Sequence, residues 1–145
     1  MADSPAQITL SGAPEGYDAA LIAREAEARA APVIHIARDD RRMAATKAAL
    51  GFLAPGLPVL EFPAWDTTPY DRVSPAAGIQ AARMAVLATL ASGALRGPFV
   101  LLTTLNAAMQ RVPPRATVAG ASFAARVGDR MDEGALRDFL VRMGF

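Results

Sequence analysis

The chain has no cysteine. That excludes disulfides and thiolate metal sites, and a reducing compartment fits. Histidine is nearly absent too, with His35 alone. Lysine is represented only by Lys47, so the basic residues are otherwise arginines. Neither sign of charge is in excess. Fifteen basic and fourteen acidic residues are interspersed and leave a net charge of +1. No basic stripe results, and direct nucleic-acid binding is not expected. No run of about 18 apolar residues occurs, so no membrane span is expected. The opening "MADSPAQ" lacks the basic and apolar regions of a secretory signal. The composition reads as that of a soluble, cytoplasmic protein.

What is present is apolar mass. Hydrophobic residues make up 52% of 145. A chain of this length buries roughly 70% of its unfolded surface, enough for a real core. The apolar residues fall into alternating patterns. Ala6–Leu10, Pro32–Ala37, Leu57–Phe62 and Gly97–Thr104 read as buried strands, the second being β-branched and continuous as a parallel strand is. Tyr17–Ala31 reads as a helix, and Asp39 or Asp40 can cap another that runs to about Leu53. Ser74 and Pro75 read as the cap and first residue of a helix running to about Leu90. A shorter helix near Leu105–Arg111 stops at Pro113–Pro114. Strands alternating with helices predict an α/β fold, a parallel sheet flanked by helices.

The pattern changes after about residue 116. "ATVAGASFAARVGD" reads as one or two short strands, and "MDEGALRDFLVRMGF" as a helix capped near Asp132. This is half a unit. It predicts an α/β domain over 1–116 and the start of a small α+β second domain over 117–145.

The turn after the first strand poses a chemical question. A phosphate loop reads G-x-x-x-x-G-K-[ST], with backbone N–H groups, a lysine and a hydroxyl holding phosphate and magnesium. With its second glycine set on Gly16, the chain reads Ser11, Gly12, Ala13, Pro14, Glu15, Gly16, Tyr17, Asp18. Ser11 stands for the first glycine, Tyr17 for the lysine and Asp18 for the hydroxyl residue. Pro14 removes a donor from the cradle. Glu15 and Asp18 put negative charge where phosphate would lie. A unit charge ~4 Å away is worth about 4 kcal/mol at an effective dielectric near 20, so affinity should fall by powers of ten. The stretch is either a nucleotide loop that has kept its shape and lost its chemistry, or an ordinary strand-to-helix turn. No cofactor is expected in either case.

The centre of the chain is more specific. "FPAWDTTPYDRVSP" holds Phe62-Pro63, Trp65-Asp66, Pro69-Tyr70-Asp71 and Ser74-Pro75. Arg83 follows, then Met109-Gln110-Arg111-Val112 and Pro114. With the "SGAPEG" turn and the closing "VGDRMDEGALRDFLVRMGF", these blocks resemble, in order, the N-terminal region of the bacterial transcription-repair coupling factors (Mfd). The resemblance implies a UvrB-like domain, of the kind called 1a, with a degenerate phosphate loop. It also implies a parent that is an ATP-dependent DNA translocase. That parent acts on RNA polymerase stalled at a lesion and recruits nucleotide excision repair. The implied role of this module is non-catalytic: docking UvrA, mainly through surface expected beyond Phe145, and contacting the motor within the same polypeptide. The family motif residues Phe62, Trp65, Asp66, Pro69, Tyr70, Asp71, Gln110 and Arg111 are read as structural.

Other readings remain for single residues. Asp66 and Asp71 can bind a cation or hydrogen-bond their own turn. Trp65 and Tyr70 can stack on a base or a partner, or pin the long loop to the sheet. His35 lacks companions at metal-ligand spacing and reads as structural. "ARDDRR", Ala37–Arg42, can touch phosphate or form a solvated turn. Gln110 and Arg111 echo a helicase-type nucleic-acid motif or serve the fold. No catalytic residue set and no metal cluster stands out. A small nucleotide-binding α/β enzyme and a direct DNA-binding domain are the competing functions.

Overall fold

The computed structural model describes residues 7–68, 72–123, 125 and 127–144. Helix α1, Tyr17–Arg29, leads into strand β1, Val33–Ala37. Helix α2, Asp40–Leu53, leads into β2, Val59–Phe62. Helix α3, Ala77–Ser92, precedes β3, Val100–Thr104. Three further helices follow: α4, Leu105–Met109; α5, Arg115–Gly120; and α6, Glu133–Met143. Among the described residues the sheet has three parallel strands in the order β1-β3-β2. The alternating pattern is thus realised as an α/β fold with helices on both faces of the sheet.

Side-chain alternation along each strand sorts the two faces. Val33, Val100 and Val59 are in register, as are His35, Leu102 and Glu61. This face packs on Ala19, Ile22 and Ala23 of α1 and on Met43 and Leu50 of α2. The other face carries Leu60, Phe62 and Leu101 beneath Val86, Leu87 and Leu90 of α3 and Ala107 of α4. That cover stops short of β1. Ile34 and Ile36, which belong to this second face, are 65% and 52% exposed.

Local chemistry explains most boundaries. Asp39 caps α2 by accepting from the Arg42 N–H at 2.7 Å. That bond, reinforced by Arg38, holds the Asp39 carboxyl below its usual range. Thr104 and Asp132 cap α4 and α6 by accepting from Ala107 N and Ala135 N. Gly93 and Gly144 close α3 and α6 in the left-handed conformation that glycine tolerates.

Three expectations need correction. Residues 7–10 form no strand, and Ile8 and Leu10 are 78% and 55% exposed. β3 is already flanked on both sides, and no described segment ladders with this run. An apolar run without a ladder partner gains nothing from extending. The expected strands of 116–129 are likewise absent where described. Residues 115–120 instead continue from Pro113–Pro114 as α5, with Val118 buried. Proline pre-sets a helix start and alanine favours its continuation, which outweighs two β-formers here. Finally, α3 begins at Ala77 with Ala76 as its cap, not at Ser74. Its cap is supplied from a distance, as described next.

Candidate functional site

Two clusters gather the residues singled out in the sequence. The first surrounds the start of α1. Gly12 and Gly16 both have positive φ, 70° and 85°, so the turn uses glycine where only glycine is unstrained. The Tyr17 N–H donates to the Pro14 carbonyl at 3.2 Å. The turn therefore closes on itself at the position where a phosphate cradle would aim that donor outward. Asp18 sits in the first turn of α1 and favours the helix dipole.

A cation is present, but it comes from α2. Arg42 donates to Asp18 Oδ2 at 2.9 Å and to Glu15 Oε1 at 3.3 Å. The buried Thr46 hydroxyl donates to the same Asp18 oxygen at 3.3 Å. Arg42 thus bridges both carboxylates of the turn. The cavity left between α1 and α2 here is about 140 Å³, lined by Glu15, Gly16, Asp18, Arg42 and Thr46. Ligand pockets run to roughly 300–1,000 Å³. Lys47, the chain's single lysine, is engaged elsewhere with Glu61 at 2.6 Å. The "ARDDRR" stretch, read as a phosphate contact or a solvated turn, thus supplies Arg42 to the carboxylates of the Gly16 turn, a pairing across 24 positions that no local pattern encodes. Ser11 is exposed and is not among the residues lining this cavity.

His35 lies on the sheet face beneath these helices. Its Nε2 is buried without a hydrogen-bond partner, as is Asp18 Oδ1. Burial lowers the His35 pKa below its ordinary value, the Asp18 charge raises it less, and Arg42 lowers it. The unfolded chain therefore binds a proton more readily than the folded one. Stability should be flat above neutral pH and fall as pH drops below about 6.5. Urea midpoints measured across this range should show that slope, and His35→Gln should reduce it.

The second cluster lies at the carboxyl ends of β2 and β3. Arg83 of α3 is 1% exposed. Its guanidinium lies 4.1 Å from the centre of the Phe62 ring and 4.4 Å from that of Trp65. It donates to the Pro63 carbonyl at 2.5 Å and to Gln110 Oε1 at 3.1 Å. Gln110 Oε1 also accepts from the Trp65 N–H at 2.9 Å. Asp66 accepts from the Ala76 N–H with both carboxylate oxygens at 3.2 Å, so it caps α3 across ten residues. The motif residues Phe62, Trp65, Asp66, Arg83 and Gln110 are therefore one connected unit. Arg111 is exposed beside it and makes no ion pair among the described residues. Pro69, Tyr70 and Asp71 lie outside the described residues. Among the described residues no group of three or more histidine or carboxylate side chains is placed to hold a metal. No described helix is long and apolar enough to cross a membrane.

The chain as a whole resembles known proteins. The chain is 34% identical over 144 aligned residues, 94% of its length, to the transcription-repair-coupling factor of Myxococcus xanthus. It is 32% identical over 127 residues, 88% of its length, to the transcription-repair-coupling factor of Escherichia coli K12. The chain is related to the transcription-repair coupling factors. No family model matches it. The chain spans 11% of the length of each of these relatives. The resemblance read from the Trp65–Asp66 and Gln110–Arg111 blocks is thus borne out. Both clusters lie within the one continuous α/β unit formed by α1 to α4.

Proposed function

We propose that the chain is the N-terminal, UvrB-like module of a transcription-repair coupling factor, acting by interaction rather than catalysis. In this reading the parent protein is an ATP-dependent DNA translocase that acts on stalled RNA polymerase in nucleotide excision repair. The module helps recruit UvrA and regulate the motor. The turn Ser11–Asp18 is a degenerate phosphate loop whose ligand has been replaced from within. The observation that carries the reading is the Arg42 bridge. A guanidinium between Glu15 and Asp18 takes up the room and the charge that a nucleotide phosphate and its lysine would need. A phosphate entering there must displace Arg42 and face two carboxylates.

Two measurements test this. Calorimetric titration of the chain with ATP and magnesium should give no heat of binding. Saturable binding at micromolar nucleotide would instead favour a small nucleotide-binding enzyme. A UvrA pull-down should compare the chain with a version extended through about 70 further residues, the size of a small-domain increment. Capture by the longer chain and not by the shorter is the expected result. Equal capture by both would place the docking surface within these 145 residues.

A further inference from the structure

A second cavity, of about 500 Å³, opens beside the Arg83 cluster. Trp65, Pro75 and Met109 form its apolar wall, and Thr67, Gln110 and Arg111 its polar lip. It lies at the carboxyl end of a parallel sheet, where α/β folds place their ligands. Three features suit it to binding. Its Trp65 wall is held before any ligand arrives, by Arg83 behind the ring and Gln110 on the backbone, so little order remains to be imposed. Its apolar wall is open to solvent, since Met109 is 80% exposed. Its only charged lining side chain among the described residues is Arg111, which has no carboxylate partner there.

We propose that this cavity docks an acidic peptide segment, one aromatic or large apolar side chain entering against Trp65 and Met109 while a flanking carboxylate pairs with Arg111. The volume suits a bulky side chain with its neighbours. The net charge of +1 and the single cation in the lining fit a peptide better than a nucleic-acid backbone, which calls for a row of cations. The site is independent of the assignment of the turn at Gly16 and of UvrA docking.

Trp65 is the only tryptophan and reports directly on the cavity. Its emission should be followed while the chain is titrated with a blocked peptide EEFDE, with EEADE, with KKFKK and with a short oligothymidylate. Saturable change with EEFDE alone is expected. Arg111→Gln should weaken it about three- to fivefold, the range of an exposed ion pair. Met109→Glu should abolish it, and both exposed substitutions should leave the thermal midpoint unchanged. Equal binding of EEFDE and KKFKK, a response to EEADE as strong as to EEFDE, binding of oligothymidylate in place of the peptide, or no response to any probe would each overturn the proposal.

Discussion

Replacing Arg83 by alanine should be the most damaging single change in the chain. The expected cost is about 3–5 kcal/mol, in the range of large-to-small substitutions in cores. The cause is the number of contacts that end on one side chain. Its guanidinium lies between the Phe62 and Trp65 rings, and desolvated cation–aromatic contacts are worth about 2 kcal/mol or more. It also supplies donors to Pro63 O and Gln110 Oε1. Burial pulls its pKa below the ordinary arginine value, yet the ring faces and carbonyl acceptors keep the cation in place. Alanine leaves a cavity, frees Trp65 and leaves the Pro63 carbonyl without this donor. Lysine keeps the charge but loses the planar fork, so it should recover only part of the loss. Methionine fills most of the volume and should fall between alanine and the native residue. Urea denaturation followed by Trp65 emission measures all three, and a red-shifted native spectrum should accompany the alanine variant. An alanine variant within about 1 kcal/mol of the native chain would show that this cluster does not organise the loop, since surface changes fall in that range.

That same cluster shows how much a sequence discloses. Phe62, Trp65, Asp66 and Gln110 are visible as a motif because their types and separations match a family. Why they are needed is not visible. The contact that unites them runs through Arg83, which the family blocks include but whose burial nothing in its alanine-rich helix discloses. The cap of α3 is similar. Ser74-Pro75 has the local form of a helix start, but the Asp66 carboxylate captures Ala76 N–H and sets the boundary later. Local signals were reliable where the partner was local, as with Asp39 and Asp132. The three strands of the sheet are legible because each is mainly apolar and carries β-branched residues. Residues 7–10 have the same composition, and their structure depends on a neighbouring strand that no local pattern encodes. In the helix at 115–120, valine and threonine have strand propensity, and the prolines that precede them set a helix start instead.

The charge at the first turn permits a sharper test. Arg42→Glu should destabilise the chain by about 2–4 kcal/mol, whereas Arg42→Gln should cost only about 1–2 kcal/mol. The difference isolates electrostatics from packing. In the native chain Arg42 and Asp18 are each less than a third exposed and lie 2.9 Å apart. Their attraction is therefore only partly screened. The Arg42–Glu15 contact is longer, with Glu15 84% exposed, and should add little. Glutamine removes the cation and leaves Asp18 with the Thr46 hydroxyl. Glutamate places a third negative charge beside Glu15 and Asp18, where α1 and α2 pack together. Repulsion there acts across a helix contact that also covers β1. Raising salt to about 0.5 M shortens the Debye length to several ångströms, so it should restore part of the loss in the glutamate variant and almost none in the glutamine variant. Asp18→Asn combined with Arg42→Gln should cost less than the two single changes added together, because each single change leaves a partner exposed to an unbalanced charge. Strict additivity of that double-mutant cycle would mean that Arg42 does not stand in for a ligand at the turn. The reading of this loop as filled from within would then fail, even if nucleotide still did not bind.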